Sequence, residues 1–151
     1  MPRSAKLDLA DYMPHLVNRL GVAFVARFTA DALVSRGLGI AEWRVLAVLA
    51  SSGSQRQTDL SELTSIETST LSRVVTRLIR AGLVSRSRNA RNSREVVVRL
   101  TAPGTKAVAE MTPVAVDLEA QAIRDLPRRE LAVVKRALRS MHGRLITTRP
   151  E

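Results

Sequence analysis

The stretch that decides the fold is residues 68–101, TSTLSRVVTRLIRAGLVSRSRNARNSREVVVRLT. In its first part Leu71, Val74, Val75, Leu78 and Ile79 recur at the spacing of one buried helix face. Ser69, Arg73, Thr76, Arg77 and Arg80 fall on the opposite side. Gly82 suits the left-handed position just past a helix end. Residues 83–88 and 94–101 read as strands, the second with Val96, Val98 and Leu100 alternating on one face. Residues 89–93 between them are rich in turn formers. The stretch predicts one amphipathic helix followed at once by a two-stranded hairpin.

Its charge is one-sided. Arg73, Arg77, Arg80, Arg86, Arg88, Arg91, Arg94 and Arg99 lie here, against the single acid Glu95. The whole chain carries +10, so most of the excess sits in this segment. A polar helix face without any acid argues against a surface charged only for solubility. It is a footprint for a polyanion: a helix sized for a DNA major groove, and a basic loop able to reach the neighbouring minor groove. Ser69, Thr70 and Arg73, near the start of the helix, are expected at base edges. Thr76 shares that face, and Arg77 and Arg80, further along, are expected at phosphates. Arg86, Arg88, Arg91 and Arg94 belong to the hairpin, with Arg94 as the minor-groove probe, because a narrow minor groove concentrates negative potential.

Working outward, residues 9–34 read as a long amphipathic helix ended by Gly37 and Gly39, and residues 41–50 as a second, largely buried one. Residues 51–54 are a loop, and 59–64 a short third helix with Thr58 at its N-cap. Downstream, Thr101 is expected to cap a fifth helix reaching about residue 125, with Pro103 in its first turn and a kink at Pro113. Pro127 opens a sixth, with Leu131, Val134, Leu138, Met141 and Leu145 on one stripe. A hairpin directly after a helix-turn-helix makes a winged helix, so the expected class is mainly α with a small two-stranded β-wing. The outer helices, residues 8–36 and 102–147, are too apolar to stand alone. A second copy of the chain would cover them with two-fold symmetry, leaving residues 40–101 as the DNA-binding lobe of a single domain.

Bulk composition closes other routes. At 151 residues the chain can bury a core without staples. It has no cysteine, which excludes disulfides, thiolate metal sites and thiol redox sensing. Its two histidines, His15 and His142, are far apart in sequence, and no spacing suggests a metal or other cofactor. No signal peptide or membrane-spanning run is legible, so a cytoplasmic protein is expected. The basic residues are 21 Arg and 3 Lys, a bias that genomic composition can produce. Tyr12, Phe24, Phe28 and Trp43 are the only aromatics, too few for a single-strand or RNA binder built on base stacking. No catalytic constellation or phosphate loop is present, and an enzyme is not expected.

The chain resembles the MarR family of bacterial transcription regulators. The residues that carry the resemblance are Glu42-Trp43-Arg44-Val45-Leu46, Asp59-Leu60-Ser61-Glu62-Leu63 and Ser69-Thr70-Leu71-Ser72-Arg73. Arg77-Leu78, Gly82-Leu83-Val84, Arg94, Leu100-Thr101 and Gly104 complete it. The resemblance implies an obligate dimer on palindromic operators, in many members a repressor released by a small phenolic or anionic ligand. Two positions depart from the family pattern. Asn92 stands where an Asp usually precedes the wing arginine, and Pro113 interrupts a helix usually continuous.

Two residues outside the basic face bear on an effector. Trp43 is read as a core aromatic packing the second helix on the first, or as the wall of a ligand pocket. Arg27 falls within the apolar stripe of the first helix, where a buried guanidinium needs a partner. That partner is Asp31, four residues on, or a carboxylate effector. His15 lies off the stripe and is expected to be exposed. The function these readings support is a homodimeric, sequence-specific double-stranded DNA-binding regulator, a repressor released by a small anionic or aromatic ligand. The alternative is a constitutive architectural DNA binder with no effector.

Overall fold

A computed structural model describes residues 7–88, 91, 92 and 94–147. Asn89, Ala90 and Ser93, part of the turn predicted between the strands, lie outside the described residues. The elements run α1 (Met13–Phe28), α2 (Ile40–Ser52), β1 (Gln55–Arg56), α3 (Gln57–Thr64), α4 (Thr68–Arg80), β2 (Val84–Arg88), β3 (Val96–Leu100), α5 (Ala102–Ala122) and α6 (Arg128–Thr147). The chain divides into two compact units between Val116 and Asp117.

In the first unit, α4 forms where its periodicity placed it. Leu71, Val74, Val75 and Leu78 are buried. With Val45, Leu46, Leu60 and Val98 they make a core between α2, α3, α4 and β3. Each fully buried leucine there contributes about 1.5–3 kcal/mol. Gly82 takes the left-handed conformation at φ 72°. Its N–H donates to the Ile79 carbonyl and the Leu83 N–H to that of Leu78, closing α4 with a Schellman motif.

The wing belongs to a three-stranded antiparallel sheet ordered β1-β3-β2, not an isolated two-stranded hairpin. Gln55 and Arg56 pair with Val98 and Val97 on the far side of β3. Two residues carry no periodicity, so β1 left no trace in the sequence pattern. The same strand moves the start of α3 back to Gln57, so Arg56, not Thr58, is its N-cap.

The first helix is shorter than its pattern. It begins at Met13, with Pro14 in the first turn where a missing N–H costs nothing. Beyond Phe28 the backbone passes through a π-helical turn, Thr29–Leu33, and a 3-10 turn, Val34–Arg36, before Gly37 ends it at φ 63°. Phe28 is buried and Trp43 half-buried, their ring centroids 4.8 Å apart. This is the core-aromatic reading of Trp43.

Thr101 caps α5 as expected. Its Oγ1 accepts the Gly104 N–H at 3.1 Å and donates to the Gly82 carbonyl at 2.6 Å, tying the start of α5 to the end of α4. Pro113 lies inside α5 without ending it. In the second unit α6 buries none of its residues, and Lys135 Nζ meets Glu119 Oε1 at 2.6 Å. Among the described residues no helix is long and apolar enough to cross a membrane.

Candidate nucleic-acid interface

Helix α4 presents Ser69, Thr70, Arg73, Arg77 and Arg80 as exposed residues, with Thr76 half-buried among them. Ser72, Arg73, Thr76, Arg77 and Arg80 line a shallow groove of about 390 Å³. Arg86, Arg88, Arg91 and Arg94 are exposed on the wing. Arg86 and Arg94 also line a recess of about 440 Å³ with Arg56, Gln57, Thr58, Thr68, Glu95 and Val96. The fold thus gathers the wing, the start of α3 and the first residue of α4 around one basic concavity. Arg56 is the member that sequence reasoning missed. It is forked onto Asp59 (Nε–Oδ2 2.7 Å, Nη2–Oδ1 3.1 Å) and reaches Glu95 Oε1 at 3.3 Å. The Arg–x–x–Asp spacing at the start of a helix was the available signal.

Arg77 is not simply a solvent-facing cation. Its Nε and Nη2 lie 2.7 and 2.6 Å from Glu42 Oε1, and Glu42 Oε2 accepts the Gly39 N–H at 3.2 Å. Glu42 is buried, 8% exposed, and those donors satisfy both of its carboxylate oxygens. The pair fastens the last turn of α4 to the first turn of α2. Two nitrogens of the guanidinium expected at a phosphate are thereby committed within the protein.

Ahead of α4 stands an acid that the pattern of residues 68–101 did not include. Glu67 is the N-cap, and its carboxylate accepts the backbone N–H groups of Ser69 and Thr70 at 3.1 and 3.3 Å. The Ser69 hydroxyl donates to it as well. That side-chain hydrogen bond first, and the two backbone N–H groups next, hold the Glu67 carboxyl below the usual carboxylate range. An acid immediately before a Ser/Thr run at a helix start was the legible signal.

At the wing, Asn92 Oδ1 accepts the backbone N–H of Arg94 at 3.2 Å, and the Asn92 carbonyl accepts that of Glu95 at 3.0 Å. The side chain closes a local turn. It holds the backbone of Arg94 rather than its guanidinium. Between β3 and β2, Arg99 Nη2 donates to Ser87 Oγ at 3.1 Å.

The residues read for an effector are placed differently. Arg27 is not buried: its side chain is 61% exposed and pairs with Asp31 at 3.6 Å. The stripe it shares is itself open, with Leu16, Val17 and Leu20 about half exposed, so position on the wheel did not translate into burial. His15, expected outside, is half-buried. On α6, Leu131 and Met141 are half-buried while Val134, Leu138 and Leu145 are exposed.

Comparison with known proteins agrees with this architecture. Residues 38–96 match the MarR family model. A MarR family transcriptional regulator from Silicibacter pomeroyi superposes with a TM-score of 0.82 at 28% identity, over 93% of this chain and 94% of that one. Bordetella bronchiseptica BpsR, whose DNA binding is regulated by 6-hydroxynicotinic acid, gives 0.75 at 29% identity over 85% and 97%. NadR in complex with 4-hydroxyphenylacetate gives 0.79 at 25% identity over 93% and 97%. The comparison with curated protein sequences gives no match. Residues 38–96 thus match the MarR family model, and the chain as a whole has the winged-helix fold of MarR family transcriptional regulators.

Proposed function

We propose that the chain is a homodimeric, sequence-specific DNA-binding regulator, a repressor released by a small aromatic acid. The observation that carries the reading is the exposed basic surface of α4 and the wing, where Arg73, Arg80, Arg86 and Arg94 line two concavities. A helix of that charge enters a major groove, and an arginine on a loop beside it reaches the minor groove.

Dimerisation is supported by the apolar surfaces left open. Leu16, Val17 and Leu20 on α1, and Val134, Leu138 and Leu145 on α6, are between 41% and 76% exposed. Apolar stripes of this kind mark partner surfaces. A two-fold pair of chains would set two α4 helices about 34 Å apart, in successive major grooves.

The effector class is supported by the relatives. One is regulated by 6-hydroxynicotinic acid, another binds 4-hydroxyphenylacetate, and both compounds are hydroxylated aromatic acids. Here the candidate contacts are Trp43, half-buried against Phe28, and Arg27, whose exposed guanidinium pairs with Asp31. Such a ligand acts only through unequal affinity for the DNA-competent and incompetent dimers.

The test is selection of duplex fragments from the source genome by the purified protein, at fixed salt, with and without candidate aromatic acids. One palindrome bound at least ~10³-fold better than random DNA supports a regulator. Uniform affinity would overturn it in favour of an architectural DNA binder.

A further inference from the structure

The first turn of α4 is organised around Glu67. Its Oε1 accepts the Ser69 N–H at 3.1 Å; its Oε2 accepts the Thr70 N–H at 3.3 Å and the Thr70 hydroxyl at 3.4 Å. The Ser69 hydroxyl donates to the same Oε2. Glu67, Ser69 and Thr70 are all exposed, so the cluster stands on the surface that α4 offers.

A hydroxyl has one proton and two lone pairs, and a carboxylate has lone pairs only. When Ser69 gives its proton to Glu67, every remaining capacity of that pair is to accept. A bond to a carboxylate is roughly twice as strong as one between neutral groups. Turning the hydroxyl outward to donate would exchange the stronger bond for a weaker one. In the major groove adenine N6 and cytosine N4 are amino donors, whereas thymine O4 and guanine O6 are acceptors. A free serine can meet either kind; one whose proton is committed can meet only the first.

We infer that Glu67 is a specificity-determining positioning residue: by holding the Ser69 hydroxyl proton it makes the tip of α4 accept hydrogen bonds only, and so selects an adenine or cytosine amino group at the base facing Ser69. The inference rests on α4 being the groove-reading helix. The low-lying ionisation of Glu67 keeps the carboxylate charged at neutral pH, and the weaker Thr70 contact biases the neighbouring hydroxyl in the same sense. Thymine O4 and guanine O6 are in addition repelled by the carboxylate.

The experiment compares wild type, Glu67→Gln and Ser69→Ala in competition binding to duplexes varied one base at a time, at one salt concentration. The base facing Ser69 is the one whose preference disappears in Ser69→Ala. Wild type is expected to favour adenine or cytosine there over thymine or guanine about tenfold, within the range for groove contacts. Glu67→Gln can donate as well as accept, which frees the serine proton. Its preference at that base should fall to within about twofold, while preference at other bases is retained. A duplex whose base at that position lacks the amino group should bind wild type several-fold more weakly and Ser69→Ala no more weakly.

An unchanged preference in Glu67→Gln, or a wild-type preference for thymine or guanine at that base, overturns the inference. If Glu67→Gln does not fold, the amino-deleted duplex decides alone, and equal losses in wild type and Ser69→Ala overturn it. Wild type with no sequence preference anywhere would instead sink the groove-reading assignment of α4, and this inference with it. Normal preference at other bases without amino selection here removes only the role of Glu67.

Discussion

Replacing Gly104 with alanine sets two physical effects against each other, and the structure decides the sign. Gly104 is buried in the first turn of α5. By helix propensity alone, alanine should stabilise by about 1 kcal/mol. A Cβ at this position, however, would lie 1.9 Å from the Leu83 carbonyl oxygen, 2.9 Å from its carbon and 3.2 Å from Leu100 Cδ2. The oxygen must retreat until the separation is at least 3.0 Å. It is backbone and cannot rotate aside. It also accepts the Thr101 N–H at 3.1 Å, so the retreat weakens the junction between α5 and the start of the wing. Overpacking of this kind costs about 1–3 kcal/mol and the strained hydrogen bond about 1 more. After subtracting the propensity gain, Gly104→Ala should destabilise by about 2 kcal/mol, or roughly 4–8 °C in Tm. Urea and thermal unfolding at fixed protein concentration measure it, with Gly143→Ala as the control. A Cβ at Gly143 would have nothing within 4 Å, so that variant should be stabilised by a few tenths to ~1 kcal/mol. A neutral or stabilised Gly104→Ala would refute the close approach of α5 to Leu83.

Arg77→Ala should destabilise by about 1–3 kcal/mol, because it leaves the buried Glu42 carboxylate without its guanidinium; Arg73→Ala should stay within ±0.5 kcal/mol. In a double-mutant cycle Arg77 and Glu42 should couple by at least ~1 kcal/mol, and coupling below about 0.5 would show that the pair does not hold α4 to α2. Asn92→Asp keeps the turn that accepts the Arg94 N–H and adds a negative charge to the wing, so duplex binding should weaken, more at low salt than at high. Tighter binding by this variant would refute this electrostatic account. Because Glu67 has its folded pKa depressed, its contribution to stability is complete above the unfolded carboxylate value and is lost as pH falls through the lower folded value. The Tm difference between wild type and Glu67→Gln should therefore hold constant between about pH 8 and 5.5 and shrink only in stronger acid. A difference that disappears by pH 5.5 would contradict the cap.

The sequence by itself determined the winged helix and the concentration of positive charge on it. Leu71, Val74, Val75 and Leu78 recur with helical period, Val96, Val98 and Leu100 alternate, and Gly82 separates them. Each is a local signal, because burying one face of a helix or strand constrains residues close together in the chain. Charge is equally local in this protein, with eight arginines in residues 68–99. Tertiary structure alone decided what those side chains do. Whether the Arg77 guanidinium is free or held depends on Glu42, an acid 35 positions away. Whether Gln55 and Arg56 form a strand depends on β3 arriving beside them. Arg27 lay on an apolar stripe yet is exposed, because the stripe is uncovered within its own chain. Periodicity reports which face of an element is apolar; only the packing of distant segments reports what lies against that face, and therefore which polar groups remain free to bind.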